Sequence, residues 1–403
     1  MIKVTYRFPP SVDAQRQAQM IAIGQSVGSW GAQFSHREKE LQSHLAKVLD
    51  VKSENSGNST AVIGFPEINT ENDIASLLTM IFGKFSLAGP ARIIDIKLPE
   101  TYGTPSKFGI DGIRNITQVY DRPFIMGIFK PALGLSASDH AVLLREAASA
   151  GLDIIKDDEI NFNLSTAPTL DRVKACVTVI NEIKADTGKE ILYAVNLSGR
   201  ADKLIENAKQ LINAGANALL FNAISYGYSC LESLAATPEI NVPIFTHPAL
   251  SGAIGGATDN SSDYGIDYSV LLGTLMAYSG ADAVLYPAHY GSLPFNKETE
   301  FNIRDILRTP ISSKRPAILP VPSAGIHPGI IGRAFRDYGN DVAFNAGSAI
   351  FDHPNGAHEG TKAFFQALNL AQQHQPIKLE STNDEALQAA LKKWGEEELS
   401  GRS

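Results

Sequence analysis

Short apolar runs alternate with longer amphipathic stretches along the chain from about Phe124 onward. A short apolar run is typical of a buried parallel strand, and the stretches between the runs have the spacing of surface helices. The eight runs are FIMGIFKP, LDIIKDD, ILYAVNLS, ALLFNAI, PIFTHPA, AVLYP, AILPVPSAG and VAFNAGSAI. The predicted helices are Asp139–Ala150, Leu170–Thr187, Lys203–Ala214, Cys230–Thr237, Tyr268–Ser279, Asn296–Leu307, Pro328–Tyr338 and His358–Gln373.

Eight strand–helix units in roughly 250 residues predict a (β/α)8 TIM barrel. A doubly wound sheet is the alternative, but no G-x-G-x-x-G follows the first strand. Residues 1–118 differ, because their alternating runs and the helical patterns at Val12–Ile23 and Asn72–Phe82 predict an α+β domain. The expected fold is therefore α/β, with an α+β N-terminal domain over residues 1–118. The barrel domain covers residues 119–403 and ends in a helical tail at Asn383–Trp394.

Composition narrows the function classes. The chain is 44% hydrophobic and 19% charged, which is typical of a globular protein, and its net charge of −8 argues against a nucleic-acid partner. It contains no run of 18 apolar residues and no signal-peptide pattern, so we expect no membrane association and a cytoplasmic location. Two cysteines, Cys176 and Cys230, fit neither a disulfide framework nor a CxxC metal site.

Charged and polar side chains follow the predicted barrel strands where catalytic groups of such barrels lie. Lys130 ends the first strand, and Lys156, Asp158 and Glu159 end the second. Alternation places Lys156 and Asp158 on one face and Asp157 on the other. Two carboxylates at a rim suit Mg²⁺, although a lysine that only neutralises them is the alternative. The polar or small residues at the remaining strand ends are Asn196, Asn222, His247, Ser323, Gly325, Gly347 and Ser348.

The segment IIKDDE resembles the activator motif of the Rubisco superfamily, in which CO2 carbamylates the lysine. Further similar segments follow the same order: SVGSW, FKPALGLS, FTHPALSGA, PSAGIHPG and NAGSAIFDHPNGA. The resemblance implies that a CO2 carbamate on Lys156 holds Mg²⁺ together with Asp158 and Glu159. It implies a catalytic role for Lys130. Substrate contacts are expected from Asn196, His247, Ser323, Gly325, Gly347 and Ser348, of which the last four lie where such barrels bind phosphate. The alternatives are a structural hydrogen bond for His247 and capping of a strand end for Asn196.

Three departures from the carboxylating members argue against CO2 fixation. Ala132 and Pro248 stand where those members have lysine and arginine, and LYPAHYGSLPFN has no lysine. One phosphate group is therefore the expected substrate handle. Ser348 replaces a usual glycine, and Asp352 is a further departure near the predicted phosphate region.

Within the superfamily, FPEIN, LLTMIFGKFSLAG and LYAVNLSGR are similar to the 2,3-diketo-5-methylthiopentyl-1-phosphate enolases of methionine salvage. That similarity implies a small phosphorylated diketone substrate and makes Lys84 the base that removes a C1 proton. Because Lys84 belongs to the N-terminal domain, the resemblance also implies a homodimer whose active sites are shared. The alternatives are another Rubisco-like isomerase acting on a methylthio-sugar phosphate, or an inactive binding barrel.

Overall fold

A computed structural model describes residues 1–258 and 261–396 of the chain. Residues 397–403, at the end of the predicted barrel domain, and residues 259–260 lie outside the described part. The N-terminal elements are β1 (Ile2–Phe8), α1 (Ala14–Gly24), α2 (Glu38–His44), β2 (Lys47–Ser53), β3 (Ser59–Phe65), α3 (Ile74–Phe82) and β4 (Arg92–Lys97).

The N-terminal strands belong to a mixed five-stranded sheet, whose central strand β1 has one buried face. Alternate residues of β1 are buried, and its neighbours β3 and β4 both pair with it antiparallel. The hairpin partners β2 and β3 complete one side of the sheet. On the other side, a two-residue strand, β10 (Gly265–Ile266), comes from the barrel part of the chain and pairs parallel with β4. The sheet therefore joins the two parts of the molecule.

The barrel consists of eight parallel strands in the order β12-β11-β9-β8-β7-β6-β5-β13. In the described chain no ladder joins β12 to β13, and the amide of Asn345 donates to the Ser323 hydroxyl across that seam at 2.8 Å. The strands are β5 (Phe124–Ile128), β6 (Ile154–Lys156), β7 (Leu192–Asn196), β8 (Ala218–Phe221), β9 (Ile244–Thr246), β11 (Ala283–Pro287), β12 (Leu319–Ser323) and β13 (Ala343–Ala346).

Helices cover the outside of the barrel and one end of it. Ile110 and Ile113 of α4 pack with the inward-facing strand residues, so this helix closes the amino-terminal end. The helices are α4 (Gly109–Thr117), α5 (Ala137–Ser149), α6 (Thr169–Thr187), α7 (Leu204–Asn213), α8 (Ala223–Tyr226), α9 (Tyr228–Ala236), α10 (Ser251–Gly255), α11 (Leu275–Tyr278), α12 (Lys297–Arg308), α13 (Ile331–Tyr338), α14 (Ser348–Phe351), α15 (Gly356–Gln372) and α16 (Glu385–Trp394).

The predicted fold class is confirmed, and the eight predicted strands are present. The predicted helix Tyr268–Ser279 differs in winding, because a π-helix at Ser269–Thr274 precedes α11. The tail helix is present as α16. The boundary at residue 118 stays a prediction. Within the described residues, no helix is both long enough and apolar enough to span a bilayer.

Candidate functional site

The charged side chains at the end of β6 point to both faces of the barrel wall, Lys156 to the interior and Asp157 to the outside. Ile154 faces the barrel interior, and Lys156, two residues on, faces the same way. Lys156 is fully buried, and its Nζ donates to the Asp157 carbonyl at 2.9 Å and lies 3.8 Å from Glu159 Oε2. Burial lowers the pKa of Lys156 more strongly than the neighbouring carboxylates raise it. An inward-facing amine of this kind holds its proton weakly.

Asp157 points outward, as alternation predicts, and it is fully buried there. Its carboxylate accepts from Arg172 Nη2 at 3.0 Å and from the Tyr193 hydroxyl at 2.7 Å. It also accepts from the backbone N–H of Asn196 at 3.0 Å. A buried carboxylate requires such compensation. Asp157 therefore ties the end of β6 to α6 and β7 and leaves its two neighbours free to face the mouth.

Lys130 and Asp158 form an ion pair across the first two barrel strands, with Nζ and Oδ2 2.7 Å apart. Burial opposes ionisation of Asp158, but the Lys130 hydrogen bond and the Lys156 charge outweigh it and hold the pKa of this carboxyl below its usual value. A Cβ on Gly347 would lie 3.2 Å from Lys130 Cε. The glycine at the end of β13 thus makes room for the lysine stem.

Glu159 meets His247 at the rim, with Nε2 and Oε2 3.3 Å apart. Burial, assisted by the Lys156 charge, lowers the pKa of His247 to about 3, so the ring is neutral. Its Nδ1 accepts from the Ala249 N–H at 3.2 Å, which leaves Nε2–H to donate towards Glu159. The amide of Asn196 donates to the Glu159 carbonyl at 3.0 Å and therefore fixes the backbone of the rim carboxylate.

These side chains are suited to a hard divalent cation. Asp158 and Glu159 offer carboxylate oxygens on one rim, and Lys156 lies beside them. Among the described residues, no cluster of three or more His, Cys, Asp or Glu side chains is placed to hold a metal ion. A third anionic oxygen would have to come from a modified Lys156, whose lowered pKa leaves the amine able to react. The buried side-chain oxygen of Asn222, next to the Glu159 backbone, has no hydrogen-bond partner in the described structure.

The predicted phosphate residues lie at the ends of the neighbouring strands β12 and β13. Ser323 Oγ accepts from Asn345 and donates to the Val321 carbonyl at 3.1 Å. Gly325 has a φ of +99°, and a Cβ there would lie 2.7 Å from the Ser292 amide nitrogen. Only glycine therefore allows the loop after β11 to pack onto this segment. The remaining member is Ser348, the exposed first residue of α14.

None of the described contacts of Lys84 is with a residue at the barrel mouth of the same chain. Lys84 is exposed and follows α3, and its Nζ lies 5.7 Å from the centre of the Phe85 ring. No hydrogen bond or ion pair joins it to another side chain in the part of the chain that the structure describes. Phe85 packs against Gly24, where a Cβ would lie 2.6 Å from its ring. The backbone around Lys84 is thus fixed while its amine stays free.

The structure also shows the contacts of His289, which the sequence did not single out, and of Asp352, whose role the sequence left open. His289, after β11, donates from Nδ1 to the buried Glu300 at 2.6 Å and meets Arg333 at Nε2 at 3.1 Å. Its only sequence signal is its place after a strand, because Glu300, 11 positions further on, looks like an ordinary helical residue. Asp352 pairs with Lys393 of α16 at 2.9 Å, so its charge is directed to the tail helix.

Comparisons with known proteins show the family of this chain. Residues 109–394 match the ribulose bisphosphate carboxylase large chain, catalytic domain, and residues 2–102 match its N-terminal domain. A relative from Microcystis aeruginosa named 2,3-diketo-5-methylthiopentyl-1-phosphate enolase is 53% identical over 98% of this chain and 100% of its own length.

Two crystal structures are also similar. One is a rubisco-like protein (MtnW) from Alicyclobacillus acidocaldarius, which is 36% identical with a TM-score of 0.89, over 98% of this chain and 100% of that one. The other is an octameric ribulose-1,5-bisphosphate carboxylase/oxygenase from Pyrococcus horikoshii OT3. It is 25% identical with a TM-score of 0.86, over 98% of this chain and 93% of that one.

Proposed function

This chain belongs to the ribulose bisphosphate carboxylase large-chain family, and we propose that it enolises 2,3-diketo-5-methylthiopentyl-1-phosphate in methionine salvage. The observation that carries the proposal is the meeting of Lys130, Lys156, Asp158 and Glu159 at one barrel rim. Ala132 and Pro248 leave this rim without two of the cations of the carboxylating members. The reaction is therefore proton transfer and not CO2 fixation.

A carbamate on Lys156 and the carboxylates of Asp158 and Glu159 would together hold Mg²⁺. When bound, the ion would polarise the adjacent diketone oxygens and stabilise the negative charge of the enolate. In its neutral form the Lys156 amine would attack CO2 to give a carbamate and release one proton, and burial favours that neutral form. Asp157 keeps the strand end in register through its bonds to Arg172 and Tyr193.

Proton transfer is assigned to Lys84, which would remove a proton from substrate C1 at the mouth of a partner subunit. Lys130 lies at the rim beside Asp158 and would donate to a substrate oxygen that gains charge. His247 is neutral, with its Nε2–H directed to the rim, so it would orient the substrate without adding charge. In this proposal Lys84 removes the proton, Lys130 stabilises the oxygen that gains charge, and His247 orients the substrate.

The single phosphate would lie between the ends of β12 and β13. The hydroxyls of Ser323 and Ser348 would donate to its oxygens, and Gly325 and Gly347 would allow the backbone to approach closely. The exposed position of Ser348 is compatible with this role.

We place the enzyme in the cytoplasm as a homodimer.

A direct assay tests the proposal. Protein activated with CO2 and Mg²⁺ is incubated with the diketone phosphate, and its ultraviolet absorbance is followed. We expect an absorbance change as the enol forms, and none in Lys84→Ala. An unchanged spectrum with authentic substrate, together with consumption of ribulose bisphosphate or methylthioribulose phosphate, would overturn the assignment.

A further inference from the structure

Glu232 lies between the barrel and the N-terminal domain and belongs to none of the sites described above. It is part of α9 and only 7% exposed. Its Oε2 accepts from the backbone N–H of Ile74 at 3.2 Å, across 158 positions of sequence. Ile74 is the first residue of α3, where a backbone N–H has no partner within the helix. The barrel therefore supplies a cap to a helix of the other domain.

The capped helix leads directly to the proposed base. α3 ends at Phe82, and Lys84 follows after one glycine. At this end the Gln25 amide donates to the Met80 carbonyl at 2.6 Å, which ties the helix to its own domain. At the other end Glu232 ties it to the barrel. Since a nine-residue helix behaves as a short rod, its start and its end move together.

We infer that Glu232 is a positioning residue for Lys84, because it fixes the orientation of α3 relative to the barrel. This inference rests on the proposed role of Lys84 as base. The neutral and ionised forms of Glu232 should hold the helix with different strength, since the carboxyl is buried and faces another acid, Asp73.

The surroundings of Glu232 set the direction of this effect. Burial, helped by the Asp73 charge, raises the pKa of Glu232 to about 7, although the Ile74 N–H opposes the shift. Further titratable or charged groups at the junction are Tyr102, whose hydroxyl donates to the Asp73 carbonyl, Arg315, which donates to the Gly103 carbonyl, and Tyr278, whose ring packs on Arg315. The raised pKa means that the packing of α3 on the barrel favours the neutral carboxyl. As pH rises towards that pKa, Glu232 ionises and this packing becomes weaker.

The first experiment compares Glu232→Gln, which keeps an acceptor, with Glu232→Leu, which removes it. We expect Glu232→Leu to lower kcat at least about tenfold with little change in KM, because Lys84 is displaced and the phosphate site is not. Glu232→Gln should stay within about twofold of the parent protein, since the cap remains. Wild-type kcat in a folded Glu232→Leu protein would refute the positioning role.

Hydrogen exchange of the α3 amides keeps the inference testable if Glu232→Leu fails to fold. In the unaltered protein, α3 protection corrected for intrinsic rates should fall at least about threefold between pH 5.5 and 8. Glu232→Gln should show no such change. Equal pH dependence in both proteins would overturn the inference. Failure of the proposed function would instead appear as an active Lys84→Ala variant, whatever the exchange data show.

Discussion

Burial suits Lys156 to the proposed carbamylation better than exposure to solvent would. An amine must be neutral to attack CO2, and the lowered pKa of Lys156 keeps more of it neutral at any given pH. As pH falls, protonation of the amine reverses the modification. We therefore expect the carbamate to persist to lower pH than it would on an exposed lysine, which ¹³C NMR with labelled bicarbonate can follow. Lys156→Ala is the control, and an unchanged carbamate signal in it would contradict the assignment.

Gly325 is a second residue whose role follows from local geometry. A methyl group at this position would overlap the Ser292 amide nitrogen. It would push the loop after β11 away from Ser323 and Gly325, which are proposed to bind the phosphate. Gly325→Ala should therefore raise KM for the phosphorylated substrate by about tenfold or more, since about 1.4 kcal/mol of lost binding corresponds to a factor of ten.

Gly188→Ala provides the matched control. Gly188 also has a positive φ, of +73°, but nothing lies within 4 Å of an added Cβ. Both variants place alanine at a positive φ and so strain the backbone, but only Gly325→Ala also brings a methyl group too close to Ser292. Steady-state kinetics of the two proteins separate these effects, and an equal KM in both would contradict the proposed loop contact.

At the scale of elements, the buried ion pair between Asp157 and Arg172 fastens α6 to the end of β6. Both side chains have no exposed surface. Removing one partner leaves an unpaired buried charge, so Arg172→Met should lower the free energy of unfolding by about 3–5 kcal/mol. Urea unfolding measures this change. Lys174→Met on the exposed side of the same helix should shift it by less than about 0.5 kcal/mol, and similar losses in both variants would disprove the role of the pair.

Elements with strong hydrophobic periodicity could be predicted, and elements without it could not. The barrel strands are buried on both faces and so appear as apolar runs. β2 could not be predicted, because every one of its residues is exposed or half-buried, which leaves no clear alternation. β10 has two residues, and it becomes a strand only because β4 lies beside it. The π-helix is buried along its whole length, so its residues carry no pattern that distinguishes its winding.

The same limit applied to the site. The grouping of Lys156, Asp158 and Glu159 at one strand end could be predicted because they are close in sequence. The contact of Glu232 with Ile74 spans 158 positions, and that of Glu300 with His289 joins a loop to the following helix, so both depend on how the chain packs. Each glutamate belongs to a helix and resembles an ordinary surface residue in the sequence.

At the scale of the whole molecule, the N-terminal domain is fastened to its own barrel. Arg92 of β4 is fully buried and pairs with Asp267 at 3.1 Å, and β10 extends the sheet beside it. Lys84 is exposed, and no hydrogen bond or ion pair holds it within the described part of the chain. A domain held in this way does not swing freely, so the mouth that Lys84 serves is expected on a second subunit.

Shared active sites make a specific prediction for mixed dimers. Lys84→Ala and Lys156→Ala should each be inactive alone, because every proposed shared site would lack either the base or the metal-binding lysine assigned to it. Refolded together in equal amounts, half of the dimers should contain both chains, and each of these has one intact site of two. The expected recovery is therefore about one quarter of wild-type activity.

Lys84→Ala mixed with the Lys84→Ala/Lys156→Ala double variant is the matched control, since no pairing of these chains restores a complete site. Activity is measured by the absorbance assay, and the dimer population by size-exclusion chromatography of the same samples. If Lys84 served the barrel of its own chain, no mixture of the two single variants would recover activity. Absence of recovery in samples that contain mixed dimers would therefore exclude the shared site while leaving the enolase chemistry intact.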